Sequence, residues 1–166
     1  MIDYIDKQIL TIIQKDARIA NSEIARQVGL APSAVLERVK KLEERNVIQG
    51  FETKLNPTEL DFGLTAFIAV RTHECCYETD KFLAAIPEVL EVHDVAGEDS
   101  YFLKVRVKNT EDLSKLMREK LKNVPNVAST KTTIVLQTIK ETTALPLELM
   151  KEDSEFMQKQ RGKKAN

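Results

Sequence analysis

Two similar punctuation marks, Ile86-Pro87-Glu88-Val89 and Val124-Pro125-Asn126-Val127, stand 38 residues apart (86 to 124) and constrain the fold of more than half the chain. Proline lacks the amide and the space to continue a helix, so each mark closes one element and opens another. Before the first, Phe82, Leu83 and Ile86 recur at helical spacing; before the second, Leu113, Leu116, Met117 and Leu121 do, in a helix expected to be capped by Thr110. After each, a strand is expected, at about 89–96 and 127–139. Further strands are expected at Leu64 to Thr72 and at 101–108, where Tyr101, Leu103, Val105 and Val107 alternate with Phe102, Lys104, Arg106 and Lys108. The order βαββαβ is the ferredoxin-like plan, which covers only one face of its sheet with helices. The strand at 64–72 is apolar on both faces, with Leu64, Ala66, Ile68 and Val70 on one and Phe67 and Ala69 on the other. A second copy of the chain is the economical cover for the bare face.

The first 56 residues follow another rule. Ile5, Ile9, Ile12 and Ile13 form an amphipathic stripe, with Asp3 and Asp6 as start signal and Asp16-Ala17-Arg18 as stop. A second helix fits from Asn21 or Ser22 to Val28. Gly29 stops it, and only Leu30 and Ala31 intervene before Pro32 opens a third helix reaching Arg45. Asn46, a residue that tolerates left-handed backbone, ends that helix. Val47 to Leu55 reads as a strand, a wing and tether, closed by Asn56-Pro57. The expected organisation is α+β: a helical domain at 1–56, a βαββαβ domain at 57–147 and a charged tail at 148–166.

Two helices joined by so short a turn, with small Ala25 at their contact, describe a helix-turn-helix, whose second helix is presented to the DNA major groove. Val35, Val39 and Leu42 form the buried side. Ser33, Ala34, Glu37, Arg38, Lys40 and Lys41 lie on the presented side. Arg38 suits a base edge or phosphate, being planar and multidentate. Ser33 can meet a phosphate at the helix start, and Lys40 and Lys41 suit the backbone. The competing reading is a three-helix bundle with a solvated charged face. Charge does not decide between them: the chain carries 25 basic and 26 acidic residues, and residues 1–55 carry nine against eight. DNA affinity then has to come from local placement and from several copies acting together.

The series Asp6…Ile9-Leu10…Asp16-Ala17-Arg18…Glu23-Ile24-Ala25…Val28-Gly29-Leu30-Ala31-Pro32-Ser33…Arg38-Val39-Lys40-Lys41-Leu42-Glu43…Val47-Ile48 resembles the Lrp/AsnC (feast/famine) family, and the resemblance continues through Gly97 to Val105 and on to Pro146. It implies a winged helix-turn-helix followed by a regulatory domain of amino-acid metabolism. It also implies dimers, often built into octamers, that bind double-stranded DNA and respond to an amino acid or related metabolite. The chain departs from the family in three places. Ala31 replaces a usual serine cap, Asn46 a usual glycine, and Gly97-Glu98-Asp99-Ser100-Tyr101 a Gly-Asp-aromatic-Asp-aromatic turn. That turn lies beside the effector site in relatives, so Gly97, Glu98, Asp99, Ser100 and Tyr101 are the expected effector residues. Gly97 would permit a close turn, and Asp99 or Ser100 could hold an α-amino group; Thr130, Thr132 and Thr133 are candidates to line the same pocket. An ordinary polar hairpin is the competing reading.

His73-Glu74-Cys75-Cys76 carries metal- and redox-capable side chains, but adjacent cysteines splay apart and no second cluster completes a zinc site, so a loop at a strand end is the preferred reading. No metal or cofactor is expected beyond the amino-acid effector. No apolar run approaches the roughly 20 residues of a membrane span, no secretion signal opens the chain and no disulfide framework exists, so the cytoplasm is the expected compartment. No spacing of nucleophile, base and orienting group, and no glycine-rich phosphate loop, argues for an enzyme. The readings held open beside DNA binding are a metabolite-binding regulatory subunit and an amino-acid-metabolising enzyme with such a domain. An Arg38→Ala substitution is expected to separate DNA binding from the first of these, costing DNA affinity while leaving folding and assembly intact.

Overall fold

The computed structural model describes residues 2–73 and 78–150, so Cys75, Cys76 and most of the charged tail lie outside the described residues. The chain forms two compact units: residues 2–54 with 142–150, and residues 55–141.

In the first unit, α1 (Tyr4–Lys15) opens with a reciprocal cap: the Asp6 amide donates to Asp3 Oδ1 at 2.8 Å and the Asp3 amide to Asp6 Oδ2 at 3.2 Å. This satisfies two of the amides that every helix start leaves unpaired. α2 (Asn21–Val28) ends at Gly29, whose φ of 70° is left-handed, and the Leu30 amide closes the turn on the Ala25 carbonyl at 3.0 Å. α3 (Pro32–Glu44) begins with proline, whose fixed φ suits a first helical position. Ile9, Ile24, Ala25, Val35 and Val39 form the core where the three helices meet. Asn46 takes left-handed backbone, φ 55°, as its side chain allows. A second small cluster joins Leu10 of α1, Leu42 of α3 and Leu147, which arrives from the far end of the chain.

The strand expected at 47–55 does not form. Val47 and Ile48 donate to the Leu42 carbonyl and tuck against the helices, and the following residues run without a ladder partner. Strand-forming side chains need a neighbouring edge, and these residues find none among the described residues.

The second unit follows the βαββαβ order. It comprises β1 (Leu64–Thr72), α4 (Thr79–Ala84), β2 (Val89–Asp94), β3 (Tyr101–Val107), α5 (Thr110–Lys115) and β4 (Val127–Ile134). α5 continues through a wide turn at Leu116–Lys120 and a tight one at Leu121–Asn123. Its cap is Asn109, whose side chain accepts from the Asp112 amide at 2.9 Å, and not Thr110, which is the first helical residue. The four strands pair antiparallel in the order β2-β3-β1-β4. Alternation sends Ile68, Val70, Leu103 and Val105 to the helical side, where they pack on Leu83, Leu116 and Leu121. Thr79 is buried, and its hydroxyl donates to the Pro125 carbonyl at 3.2 Å, tying the start of α4 to the second punctuation mark. β4 stops at Ile134 rather than near 139. No helix among the described residues is long and apolar enough to cross a membrane.

Two substitutions test this account by chemical denaturation. Ile68→Ala, at a site with no exposure, should lower the unfolding free energy of the sheet unit by about 2–5 kcal/mol. Gly29→Ala should cost the helical unit about 1–2 kcal/mol, because a Cβ there meets no neighbour and only the left-handed backbone resists it.

Candidate functional site

The outer face of α3 is the first candidate. Ser33, Glu37, Lys40 and Lys41 are exposed, Ala34 and Arg38 are half-buried, and Val35, Val39 and Leu42 point inward. No side chain caps the start of the helix and its first turn holds no acid, so the macrodipole's positive end is unshielded around Ser33. That is the local chemistry that favours a phosphate.

Each cation within α3 carries its own anion. Lys41 pairs with Glu37 at 2.6 Å and Lys40 with Glu44 at 3.8 Å. Lys41 in turn holds the Glu37 carboxyl below its ordinary value. Arg38 is bound more firmly, with Nη1 lying 2.6 Å from Asp3 Oδ2 and 2.6 Å from Asp6 Oδ1. The two carboxylates that cap α1 thus also fasten α3 to it. Burial pushes the Asp3 carboxyl up, but the Asp6 amide and the Arg38 guanidinium outweigh it and hold the group below its ordinary 3.8. A groove of about 290 Å³ runs along this face between Asp6, Ala34, Glu37, Arg38, Lys41 and Arg45. Asp3 and Asp6 read in sequence as a helix start alone. Their link to Arg38 crosses 35 and 32 residues and leaves no local pattern.

The second candidate is the turn between β2 and β3. Ser100 is well held: its amide donates to the Val70 carbonyl at 2.8 Å, and its hydroxyl meets the Thr72 hydroxyl at 2.8 Å and the Thr72 amide at 3.2 Å. Arg71 reaches Glu98 at 3.3 Å and Asp99 at 3.7 Å. Arg71 and Thr72 are neighbours that sequence reasoning missed; a lone arginine on an apolar strand was the available signal. Tyr101 leans on the core below. Thr132 is not brought to the turn: it pairs with Ile68 across β1 and β4, and its hydroxyl donates to Met117 Sδ at 3.4 Å. Gly97 is exposed and lacks left-handed backbone, so the turn makes no use of the freedom expected of it within one chain. Of the His73 to Cys76 motif only His73 is described. Among the described residues no group of three potential ligands could hold a metal ion.

A short-turned helix pair with an open second helix, and a ferredoxin-like unit with helices on one face, together define a DNA-binding regulator with a ligand-binding domain. The winged helix-turn-helix DNA-binding profile matches residues 2–49, and that of the Lrp/AsnC ligand binding domain matches residues 65–145. The chain belongs to the Lrp/AsnC family of transcriptional regulators, and is not an enzyme. It is 39% identical over 147 residues to the HTH-type transcriptional regulator FL11 of Pyrococcus horikoshii, covering 88% of this chain and 97% of the relative. It is 38% identical over 148 residues to the leucine-responsive regulatory protein of Salmonella typhimurium, covering 87% and 90%. Among solved structures, a transcriptional regulator of Neisseria meningitidis in complex with L-methionine superposes with a TM-score of 0.83 at 30% identity, covering 89% of this chain and 97% of that one. The feast or famine regulatory protein of M. tuberculosis complexed with L-methionine gives 0.82 at 34%, covering 87% and 99%.

The Arg38 geometry changes what a substitution there reports. Arg38→Met removes the partner of Asp6, whose side chain is only 11% exposed, and should destabilise the helical unit by about 1–3 kcal/mol, discounted toward the lower end because Arg38 itself is partly solvated. Folding is therefore not left intact, as the sequence suggested. Because the Asp3 carboxyl is depressed when folded, its contribution is full above 3.8 and disappears as pH falls through the lower folded value. Urea titrations from neutral pH downward should show the gap between wild type and Arg38→Met closing only in that acid range.

Proposed function

We propose that two copies of α3 enter successive major-groove turns of a roughly palindromic site, and that an amino acid bound near the β2–β3 turn adjusts assembly or DNA affinity. The observation that carries the DNA-facing assignment is the open, uncapped outer face of α3. Ser33 and the first turn meet a phosphate. Ala34 and Glu37 face the groove floor, and Lys40 and Lys41 take the backbone at the rim. Arg38 serves as fastener and, where DNA competes with Asp3 for it, as a contact. Lys41 can release Glu37 to DNA at low cost, since an exposed pair contributes little. A DNA partner supports the cytoplasmic location expected from the sequence.

Gly97, Glu98, Asp99, Ser100 and Tyr101 are the proposed effector residues, with Thr132 behind the sheet as a more distant candidate. The relatives solved with L-methionine support an amino acid as ligand class. An ammonium group would compete with Arg71 for Asp99 and Glu98, and a carboxylate would take the arginine so released. Such a ligand changes an equilibrium only through different affinity for two states.

Self-association is supported by the bare face of the sheet. Phe67 and Phe102 lie on it, and Leu136 and Ile139, just beyond β4, are 99% and 84% exposed. A dimer formed there, extended to rings of dimers, supplies the multivalency that a near-neutral chain needs.

The test is titration of DNA from upstream of the protein's own gene across salt concentrations, with and without a panel of amino acids. Binding should exceed that to a scrambled duplex and fall steeply with salt. Lys41→Gln should weaken both duplexes alike and reduce the salt slope by about one for each copy bound. Equal binding to both duplexes by the wild type would remove the sequence-specific reading.

A further inference from the structure

The short segment Leu145–Met150 lies at the end of the described chain, yet it is built into the DNA-binding unit. Leu147 begins a tight turn that ends at Leu149, and its side chain is 9% exposed. It sits on Leu10 of α1 and on Leu42 of α3, with Ile2, Val47 and Ile48 around it. Leu42 belongs to the same helix as the DNA-facing residues and is itself 1% exposed. Gln14 clamps the segment's backbone with its side-chain amide: Oε1 accepts from the Leu145 amide at 2.7 Å, and Nε2 donates to the Leu145 carbonyl at 3.3 Å. Lys7 Nζ donates to the Met150 carbonyl at 3.4 Å.

The root of the segment is held by the other unit. Glu141 is paired with both Lys104 and Arg106 of β3, whose side chains are 14% and 16% exposed. Glu141 and then Glu91 raise the Lys104 ammonium above its ordinary value. Only three residues, Thr142, Thr143 and Ala144, lie between Glu141 and Leu145, a reach of at most about 14 Å. The root is thus pinned by two ion pairs within the sheet unit. The seat, in contrast, is one buried leucine and three hydrogen bonds to exposed side chains. Contacts of that size open locally without global unfolding.

We propose that Leu145–Met150 is a latch. Seated, it completes the core beneath α3 and sets the DNA affinity of the helical unit. Drawn out through Glu141, it leaves Leu10 and Leu42 uncovered and loosens the helix that meets DNA. Its use as a relay for a bound amino acid rests on the effector reading above; its effect on DNA affinity does not.

The test uses the full chain and two readouts, amide hydrogen exchange and affinity for the upstream DNA. Leu147→Asp cannot keep its side chain in the apolar seat. It should raise exchange at least tenfold at the α1 and α3 amides that cover Leu10 and Leu42, leave β1 and β3 at wild-type protection, and weaken DNA binding at least fivefold. Leu147→Met, which refills the seat, should stay within twofold of wild type in both. If Leu147→Asp exposes α2 as well, the whole unit has unfolded and Gln14→Met decides: it removes the clamp alone and should raise exchange at Leu145 and Leu147 and weaken DNA binding about threefold. Unchanged exchange in the deciding variant overturns the latch, as does raised exchange with unchanged DNA affinity. Adding L-methionine separates the two claims. If neither it nor any other amino acid shifts wild-type DNA affinity, the effector reading fails while the exchange and affinity results still judge the latch.

Discussion

A four-stranded sheet whose two helices lie on one side leaves its other side to be dealt with, and much of this chain answers that demand. The helical side closes on Ile68, Val70, Leu103 and Val105. The opposite side carries Phe67 and Phe102 beside Lys104 and Arg106. Glu141 pairs with both cations and Glu91 with Lys104, so their charges are balanced beside the exposed Phe67 and Phe102. Burial of such surface stabilises an assembly by roughly 25 cal/mol per Å². The association proposed above is argued from the fold plan, before any specific interface is considered. On the assignment proposed above, assembly supplies the multivalency that a near-neutral helical unit needs to hold DNA.

The helical unit solves a separate problem, holding three short helices whose individual stability in water is marginal. Apolar packing around Ile9 and Ile24 does most of this. Asp3 and Asp6 add direction: they cap α1 and also fix Arg38, so that the start of one helix sets the rotation of another. Leu147 closes the seam from below. The outer face of α3 is therefore positioned by residues from the first turn of α1 and from the segment at Leu147.

Both secondary-structure plans were legible in sequence because each depends on short-range chemistry. Pro87 and Pro125 stop helices wherever they occur, and Gly29 followed by Pro32 forces a turn between α2 and α3. Alternation placed the faces of β1 and β3 correctly for the same reason. What was hidden depends on partners distant in sequence. Residues 47–55 have strand-forming side chains and, among the described residues, no edge to join. Arg38 lies on the face predicted for it, but its ion pairs reach back to the first turn of α1. Leu147 stands at the edge of a charged tail, and nothing in its neighbours marks it as a core residue. Asn109 rather than Thr110 caps α5, an error of one position between two residues that both favour a helix start, asparagine the more strongly. At the β2–β3 turn, Ser100 proved fixed by Thr72 and Val70, whereas Gly97 showed no conformational need for glycine.

The pairing of Lys40 and Lys41 with acids on the same helix bears on how such a protein finds its site. A genome presents a vast excess of competing random sequence, and affinity for that excess sets how much protein is left over for the target. Attraction to arbitrary duplex comes almost wholly from cations meeting phosphate. A surface whose cations already have carboxylate neighbours is held less tightly by arbitrary DNA. It spends more of its time in free solution, and its occupancy of a target depends on how well the correct duplex competes with those carboxylates. On the proposed DNA-facing assignment, self-neutralisation of α3 trades a modest part of raw grip, no more than such exposed pairs carry, for discrimination, and it does so through the acids rather than the bases.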